Sequence, residues 1–298
     1  MFRLGTRGSP LALTQAGLAR DALMRAHGWA DVEIVVIRTT GDRVQDRALA
    51  EIGGKALWTK ELDRALLAGE VDACVHSMKD VETIRPAAIA IAAMLPRADV
   101  RDRLIGADSV AALPRNAVVG TSSPRRAAQL GRLRPDVRTT LFRGNVDTRL
   151  GKLAAGDVDA TLLAAAGLDR LGRHDTGAPV PLETMLPAPA QGAVGLETLR
   201  DGPARALAGA IDDAETGIAV RAERALLAGL GGDCHSPIAA LAFRRDGALL
   251  LSAQLLSADG RECVEGQMTG ADPDALGAAL AQDLLARAPA TVRALFAR

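Results

Sequence analysis

Aromatic side chains are nearly absent from this chain of 298 residues: they make up 2% of it, and there is no tyrosine. The formal net charge at pH 7 is zero. Proteins that bind nucleic acids usually carry a surplus of basic residues, together with aromatic side chains that stack on bases. Because the sequence lacks both, we expect no nucleic-acid partner. Apolar residues at 48% and charged residues at 24% are typical of a soluble globular protein.

Cysteine is also scarce, and Cys74, Cys234 and Cys263 form no Cys-x-x-Cys pair. A sparse, odd set of cysteines indicates a reducing compartment without a disulfide framework. The first ten residues contain no apolar stretch of the kind that a secretory signal needs. The longest apolar run, residues 87–95, is too short to span a bilayer. We therefore expect a cytoplasmic protein that does not associate with membranes.

Short apolar segments alternate with amphipathic ones over the first part of the chain. The predicted strands cover residues 2–5, 32–38, 71–77, 117–120, 137–142 and 158–166. The predicted helices cover residues 9–28, 55–69, 123–133 and 146–156. This alternation predicts parallel α/β sheets. The segment GTRGSP (5–10) resembles GTSSP (120–124), and AGEVDA (68–73) resembles AGDVDA (155–160), which favours a duplication and two similar α/β domains across a cleft.

The pattern changes after residue 210. A helix is predicted over residues 213–230, followed by strands over 238–244, 248–257 and 262–270. Asp-Gly pairs at 246–247 and 259–260 are typical of hairpin turns between such strands. Asp272 is expected to cap a last helix that runs to about residue 287. The sequence thus predicts a small α+β domain with a three-stranded antiparallel sheet.

The segment GTSSPRR (120–126) places two arginines where a helix begins. Ser123 is a suitable N-cap and Pro124 a suitable first helical residue, so Arg125 and Arg126 fall at the positive end of the helix dipole. A cation there is disfavoured by roughly 0.3–1 kcal/mol. The two arginines are either solvated residues of an arginine-rich chain or part of an anion site. In the second case the free backbone N–H groups and the hydroxyls of residues 121–123 would help to bind a carboxylate or phosphate.

Further arginines follow predicted strands. Arg7, with Ser9 close behind it, follows the first strand, and Arg143, Arg149 and Arg170 follow later ones. Open α/β sheets bind ligands at the carboxyl ends of their strands. A large ligand with several carboxylates explains these placements better than a single phosphate does.

Two more segments are candidates for chemistry. HSMKD (76–80) ends a predicted strand with Lys79 and Asp80. The two residues form an exposed ion pair, or Asp80 has a chemical role. In the second case the many arginines would hold Asp80 as an anion, which could stabilise a cationic intermediate or move protons. We expect His76 to be structural and satisfied by backbone. Cys234 lies in a glycine-rich turn between a helix and a strand, where a nucleophile or an attachment point is more plausible than for a cysteine inside an element.

The segment IGGKALWTKE (52–61) does not match the phosphate-binding pattern G-x-x-x-x-G-K-[ST], because residue 49 is leucine and alanine follows Lys55. We expect a glycine loop that presents Lys55 and Lys60.

Taken in order, the segments of the chain resemble the porphobilinogen deaminase family, also called hydroxymethylbilane synthases. The resemblance covers essentially the whole sequence and is carried by GTRGSPLAL, GGKALWTKEL, VHSMKDV, GTSSPRR, RGNVDTRL, AGLDRLG, PAQGAVGLE and ERALLAGLGGDCHSP. It implies a transferase that joins four porphobilinogen molecules head to tail and releases ammonia at each step. The chain would grow on a covalent dipyrromethane primer, and hydrolysis would release the linear tetrapyrrole for porphyrin and haem biosynthesis.

The resemblance also implies the roles of individual residues. Dipyrromethane would be attached through a thioether to Cys234, and Asp80 and Lys79 would be catalytic. Residues implied to hold the cofactor are Lys79, Asp80, Thr121, Ser122, Ser123, Arg125, Arg126 and Arg149. Residues implied to hold porphobilinogen and the growing chain are Arg7, Ser9, Arg143, Arg149, Arg170 and Gln191. No metal is implied.

The fold that the resemblance implies has two domains similar to type II periplasmic binding proteins and a small α+β domain that bears the cysteine. We expect domain 1 over residues 1–95 with a return segment 190–210, domain 2 over 96–189 and domain 3 over 211–298, in a monomer. The chain departs from the family's usual residues at several positions: Glu82 replaces proline, Pro124 replaces leucine, Trp58 replaces phenylalanine, and Ala190 and Asp233 replace glycines.

A second hypothesis is a non-catalytic receptor that binds anions in the same kind of cleft. A solute receptor would normally carry a signal peptide, and a transcriptional effector would need a DNA-binding helix-turn-helix, neither of which the sequence indicates. Porphobilinogen distinguishes the two hypotheses, since the enzyme releases ammonia and a receptor only binds.

Overall fold

The computed structural model describes residues 1–38, 59–233 and 235–296. Its contacts divide the chain into two compact units. Unit 1 consists of Met1–Ala98 and Gly192–Gly217, and unit 2 of Asp99–Gln191 and Ile218–Arg298. The division into three domains with the boundaries given above stays a prediction.

The strands of the described residues are β1 Arg3–Thr6, β2 Glu33–Val36, β3 Ala73–Ser77, β4 Ile89–Met94, β5 Asp102–Ile105, β6 Val118–Gly120, β7 Arg138–Thr140, β8 Ala160–Ala164, β9 Ala178–Pro179, β10 Val194–Leu199, β11 Ile238–Arg245, β12 Ala248–Leu256 and β13 Cys263–Gly270. The helices are α1 Pro10–His27, α2 Lys60–Leu67, α3 Pro124–Leu133, α4 Val146–Ala154, α5 Ala165–Arg170, α6 Ala204–Gly209, α7 Ala214–Leu230, α8 Pro273–Arg287 and α9 Ala290–Arg293. A 3-10 turn covers Met78–Asp80.

Serine and aspartate side chains begin three of these helices as the sequence predicts. Ser9 accepts a hydrogen bond from the N–H of Ala12 at the start of α1, and Asp272 accepts one from the N–H of Ala275 at the start of α8. Ser123 accepts one from the N–H of Arg126 at the start of α3. In each case proline occupies the first helical position, where its missing N–H costs nothing.

Unit 1 is built on a five-stranded sheet in the order β2-β1-β3-β10-β4. The three strands β2, β1 and β3 are parallel, whereas β10 runs antiparallel to both of its neighbours. One core cluster packs Leu4 and Leu196 of the sheet with Leu23 of α1. A second packs Leu62 and Leu66 of α2 with Ile89. The sheet is therefore covered by helices on both faces.

The first part of unit 2 repeats this arrangement with a second five-stranded sheet, in the order β7-β6-β8-β5-β9. Here β7, β6 and β8 are parallel, and β5 runs antiparallel to β8 and β9. The predicted duplication agrees with the shared strand order. Both sheets are mixed and not wholly parallel as the local alternation predicted, because β10 and β5 insert beside β3 and β8.

The remainder of unit 2 carries the predicted three-stranded antiparallel sheet, β11-β12-β13. Its apolar face packs on α7 and α8, with Leu226, Leu251 and Leu280 at the centre of the cluster. The two helices approach closely, since a Cβ added at Gly277 of α8 would lie 2.4 Å from the carbonyl oxygen of Ala222. This confirms the prediction of an α/β protein with a small three-stranded antiparallel sheet near its C-terminus.

The hairpin turn between β12 and β13 lies directly against α3. Gly260 has φ of +74°, and a Cβ added to it would lie 1.9 Å from the carbonyl oxygen of Ala128. A Cβ at Gly131 would lie 2.5 Å from the carbonyl oxygen of Asp259. In addition, Gln129 Nε2 donates to Gln254 Oε1 on β12 at 3.0 Å. Small residues therefore allow the helix that carries Arg125 and Arg126 to rest on the hairpin.

We expect Gly260→Ala to lower the free energy of unfolding more than Gly247→Ala does. Both glycines have positive φ, but Gly247 has no atom within 4 Å of an added Cβ. Both variants lose about 1–2 kcal/mol to the left-handed backbone, and Gly260→Ala should lose about 1–3 kcal/mol more because helix and hairpin must separate. Urea unfolding followed by circular dichroism measures the difference. Equal losses in the two variants would contradict the close contact.

Candidate active site

An open pocket in unit 1 lies at the carboxyl ends of β1 and β3. Seven of its lining residues have polar or charged side chains: Arg7, Ser9, Gln15, Thr59, His76, Ser77 and Asp80. The pocket therefore brings together three residues singled out in the sequence, namely Arg7, Ser9 and Asp80. It lies where ligands bind in open α/β sheets.

The turn that carries Asp80 is anchored by its own first residue. Met78 is 1% exposed, and its N–H donates to the carbonyl oxygen of Ala193 at 3.1 Å. Its thioether fills the space beside Gly195, where an added Cβ would lie 2.3 Å from the sulfur. Met78 points into the core, and the next two residues of the turn, Lys79 and Asp80, are half-buried. The tight 3-10 turn thus holds the Asp80 carboxylate at the pocket.

Gln15 is a pocket residue that the sequence analysis missed. It is 3% exposed, and its Nε2 donates to Ser77 Oγ at 2.8 Å. It lies on the buried face of α1, at helical spacing from Ala19 and Leu23. A polar side chain on an apolar helix face needs a buried partner, which is the signal that could have found it.

His76 lies beside a buried carboxylate, whereas we expected its ring to be satisfied by backbone. Its Nε2 lies 3.2 Å from Oε2 of Glu197 on β10, and both side chains are buried. Burial alone would raise the pKa of Glu197, but the contact with His76 and the hydrogen bonds and charge of Arg85 lower it to about 2. The pairing depends on β10 lying beside β3, which residues around position 76 do not encode locally.

In unit 2 the two arginines at the start of α3 have a protein partner. Asp102 on β5 accepts from Nη2 of Arg126 at 2.7 Å, and its second oxygen lies 2.8 Å from Nη2 of Arg125. Arg125 and Arg126 are only 3% and 6% exposed. Burial by itself would raise the pKa of Asp102, but the two guanidinium charges outweigh it and hold that pKa far below its usual range. A buried anion thus explains two cations at a helix start.

Gln191 belongs to the same buried cluster. Its Nε2 donates to Asp102 Oδ1 and to the carbonyl oxygen of Val100, both at 2.8 Å. The preceding residue, Ala190, has φ of +59°, so alanine occupies a left-handed position where the family usually has glycine. Its N–H donates to the buried carboxylate of Glu223. This bond holds the segment that brings Gln191 to Asp102.

The hydroxyl groups of residues 121–123 help to build the turn before α3. Ser122 Oγ donates to the carbonyl oxygen of Phe142 at 2.6 Å, and Thr121 Oγ1 accepts from the N–H of Ser123. The Phe142 ring lies against Gly120, where an added Cβ would be 2.5 Å from the ring. The turn and the start of the segment that carries Arg143 are therefore fixed to each other.

The other predicted arginines of unit 2 are half-buried. Arg149 on α4 donates from Nε to the carbonyl oxygen of Gly144 at 2.9 Å. Burial lowers the pKa of Arg170 at the end of α5 from its ordinary value. Lys60 is exposed, but it is the first residue of α2 and not a loop residue as predicted, because the helix begins directly after Thr59. Cys234 and Lys55 lie outside the described residues.

The turn beside Cys234 is formed by the residue that departs from the family's glycine. Asp233 Oδ1 accepts from the N–H of His235 at 2.9 Å, and the N–H of Asp233 donates to Ser236 Oγ at 3.2 Å. The imidazole of His235, whose Nδ1 lies 3.6 Å from Asp233 Oδ1, is the main cause that lowers the pKa of Asp233 to about 2. Among the described non-glycine residues, positive φ occurs at Asn116, Ala190 and Asp246, so Asp233 fits its turn without backbone strain.

Groups of three or more histidine, cysteine, aspartate or glutamate side chains that could hold a metal ion do not occur within the described residues. In the same part of the chain, none of the helices is both long and apolar enough to cross a membrane.

A pocket with a carboxylate, a guanidinium and a hydroxyl at the strand ends of an α/β unit is typical of proteins that bind charged organic ligands. Comparison with known proteins makes this specific. Residues 2–206 match the family model "Porphobilinogen deaminase, dipyromethane cofactor binding domain", and residues 218–286 match "Porphobilinogen deaminase, C-terminal domain". The chain belongs to the porphobilinogen deaminase family.

Similar proteins agree along nearly the whole length. A porphobilinogen deaminase from Sphingopyxis alaskensis is 58% identical over 99% of this chain and 96% of its own. One from Paracoccus denitrificans is 51% identical over 97% of this chain and 95% of its own. The predicted family, the hydroxymethylbilane synthase function in tetrapyrrole biosynthesis, the transferase class and the dipyrromethane cofactor are thereby confirmed.

Solved structures of substrate-binding proteins are also similar. Substrate-binding domain 2 of GlnP from Lactococcus lactis is 11% identical with a TM-score of 0.44, over 77% of this chain and 90% of that one. A periplasmic substrate-binding protein of an ABC transporter from Coxiella burnetii is 15% identical with a TM-score of 0.44, over 71% of this chain and 92% of that one.

We expect Asp102→Asn to lower the free energy of unfolding by about 3–5 kcal/mol, because it leaves two buried guanidinium groups without their anion. The folded-state pKa of Asp102 is lowered, so its contribution is complete above the ordinary aspartate value of about 4 and is lost as pH falls below it. The difference between wild type and variant should thus stay constant from about pH 5 to 8 and shrink only in more acid solution. Urea unfolding over this range is the measurement.

Asp136→Asn is the matched control, since Asp136 pairs with Arg134 near the surface of the same unit. It should cause a much smaller loss. Equal losses in the two variants would contradict a special role for the buried carboxylate.

Proposed function

We propose that Asp80 is the catalytic carboxylate for the head-to-tail condensation of porphobilinogen. The observation that carries this proposal is its position, held by a 3-10 turn at a pocket that also contains Arg7 and Ser9. A carboxylate there can accept a hydrogen bond from a pyrrole N–H and stabilise positive charge as ammonia leaves. It can also move a proton at the reacting carbon. Lys79 precedes Asp80 in the same turn and is proposed to assist it.

The side chains around Asp80 suit ligands that bear carboxylates. Arg7 offers a fork of N–H groups that matches a carboxylate, and Ser9 adds a hydroxyl. Because each pyrrole ring of porphobilinogen carries two carboxylates, a chain that grows in place accumulates negative charge. We propose that Arg7, Ser9, Arg143, Arg149 and Arg170 hold substrate carboxylates. Gln191 is proposed to belong to the same substrate site, where its Nε2 fixes the Asp102 carboxylate and does not itself bind a substrate carboxylate. Burial lowers the pKa of the half-buried Arg170, and a bound anion would act against that shift.

We propose that the cofactor is attached to Cys234 and held by Lys79, Asp80, Thr121, Ser122, Ser123, Arg125, Arg126 and Arg149. When bound, dipyrromethane supplies the free pyrrole carbon onto which porphobilinogen is added. The other two cysteines support this assignment. Cys74 is 1% exposed, and burial raises the pKa of its thiol. Burial also raises the pKa of Cys263, so neither thiol readily forms the thiolate that attacks an electrophile.

Arg125 and Arg126 can take part in holding carboxylates even though both contact Asp102. Two guanidinium groups share one carboxylate, so the three residues together keep one positive charge beside the N-terminus of α3. That surplus charge favours an anion near residues 121–123.

We also propose that the protein acts as a monomer in the cytoplasm. The described cysteines, Cys74 and Cys263, are both free thiols, which is consistent with a reducing compartment.

Asp80→Asn should keep the fold and the cofactor but reduce turnover of porphobilinogen by at least about 100-fold, because an amide can neither balance a positive charge nor take up a proton. Release of ammonia and formation of tetrapyrrole are measured in parallel. Asp72→Asn is the control, since Asp72 pairs with Arg3 at the other end of the same strands. Turnover of Asp80→Asn at the level of the control would refute the role of Asp80.

Intact-protein mass spectrometry tests the attachment site. The wild-type protein should weigh more than its sequence by one dipyrromethane, and so should Cys263→Ser. Cys234→Ser should have the mass of the bare polypeptide, because the thioether cannot form. An adduct that persists in Cys234→Ser, or that disappears in Cys263→Ser, would overturn the assignment.

A further inference from the structure

A charged cluster in unit 1 adjoins the pocket that contains Asp80 and shares two of its lining residues. We call it the Arg85 network; its members are Thr59, Asp63, His76, Glu82, Arg85 and Glu197. Arg85 and Glu82 lie in the segment that follows the Asp80 turn, and Thr59 and Asp63 lie at the start of α2. Glu197 on β10 and His76 on β3 are diagonal neighbours, since Cys74 is the residue directly opposite Glu197.

Arg85 holds the network together with every nitrogen of its guanidinium group. Its Nε and Nη2 each donate to one oxygen of Glu197 at 2.8 Å, which is the two-pronged geometry that arginine favours with carboxylates. Nη2 also donates to Asp63, and Nη1 donates to Glu82. The Arg85 side chain is only 9% exposed, so these bonds are largely shielded from water.

Two members of the network line the pocket itself. His76 does so while its Nε2 contacts Glu197. Thr59 does so while its Oγ1 lies 2.7 and 2.9 Å from the two oxygens of Glu82 and 3.3 Å from Nη1 of Arg85. The Arg85 guanidinium is thus connected to two residues that line the pocket. It is connected to His76 through Glu197, and to Thr59 both directly and through Glu82.

The charges make the network depend on Arg85. Glu197 is 0% exposed, and Asp63 and Glu82 have side chains that are 13% and 20% exposed. Without the guanidinium, three carboxylates would repel one another in a place with little water. Burial already raises the pKa of Asp63 from its ordinary value, with the Arg85 charge acting against it. Removing Arg85 should therefore let Glu82 and Glu197 move apart, and Thr59 and His76 with them.

We infer that Arg85 is a positioning residue for the active-site pocket, acting on Thr59 through Glu82 and on His76 through Glu197. The inference rests on the proposed role of Asp80. It also gives a structural role to Glu82, which stands where the family usually has proline. With proline at this position, Thr59 Oγ1 and Arg85 Nη1 would lack the carboxylate that they contact here.

The test uses the holoenzyme, and the cofactor content of each variant is verified by mass. Arg85→Gln should keep the adduct and lower kcat for porphobilinogen by about 10- to 100-fold, which is the scale expected from a misplaced catalytic group. Arg85→Lys keeps the charge and should recover part of the loss. Arg3→Gln, which breaks the Arg3–Asp72 pair at the far end of the sheet, is the control for a loss of stability alone. The inference is wrong if Arg85→Gln loses no more kcat than Arg3→Gln at a similar fall in melting temperature.

Glu82→Gln provides a second route if Arg85→Gln does not fold. It keeps the size of the side chain and removes only its charge, and kcat should fall several-fold while KM changes less. Unchanged kcat in Glu82→Gln would overturn the part of the inference that concerns Thr59.

A double-mutant cycle separates positioning from a general structural effect. If Arg85 acts by placing the pocket around Asp80, Arg85→Gln should change the residual rate of Asp80→Asn by no more than about twofold. The same fold-loss in both backgrounds would contradict the inference. If Asp80→Asn retains full turnover, the proposed function of Asp80 is wrong. If Asp80→Asn is inactive but Arg85→Gln is fully active, only the inference about Arg85 is wrong.

Discussion

A buried carboxylate held by arginine side chains is the interaction on which each unit depends. In unit 2 it is Asp102, which joins Arg125, Arg126 and Gln191. An ion taken out of water costs several kcal/mol, and only its partners offset that cost. The start of α3, the strand β5 and the segment before β10 must therefore come together as a set. If one partner is lost, the others become buried charges or unsatisfied donors.

The same device recurs in unit 1 at the corresponding strand. Both five-stranded sheets have their antiparallel strand in the fourth position, β10 in one and β5 in the other. β10 carries Glu197 and β5 carries Asp102, and each carboxylate receives arginine N–H groups. Glu197 contacts His76 on the strand that leads into the Asp80 turn, and Asp102 contacts the two arginines at the start of α3. These contacts help to fix the turns at both places. A rigid turn can present a group such as Asp80 without reorganising during the reaction, which is what electrostatic catalysis requires.

Local features of the structure could be predicted from the sequence because they depend on neighbouring residues. The caps Ser9, Ser123 and Asp272 and the Asp-Gly turns of the small sheet follow from hydrogen bonding over three or four positions. The predicted strand ends differ from the observed ones by at most two residues, as at β7, where residues 137–142 were predicted and Arg138–Thr140 is found. Asp80 could be singled out because it follows a recognisable buried strand.

Partners that are distant along the chain could not be predicted in this way. The residues of the antiparallel strands β5 and β10 do not form a sequence pattern that predicts which strands they pair with. Asp102 lies 24 residues from Arg126, and Glu197 lies 112 residues from Arg85. Without those pairings, Arg125 and Arg126 could only be assigned to solvent or to a ligand, and His76 to backbone. The sequence therefore located the pocket but not the buried charges that support it.

The ionisation of Asp102 tests the central claim most directly. The carboxyl carbon-13 signal of Asp102 in the labelled holoenzyme, identified by its loss in Asp102→Asn, reports whether the group is charged. An ordinary aspartate is about half protonated near pH 4. The account predicts that Asp102 keeps the signal of a carboxylate, unchanged, from neutral pH down to about pH 4. A signal that titrates in this range, or that already belongs to a protonated acid at neutral pH, would contradict it.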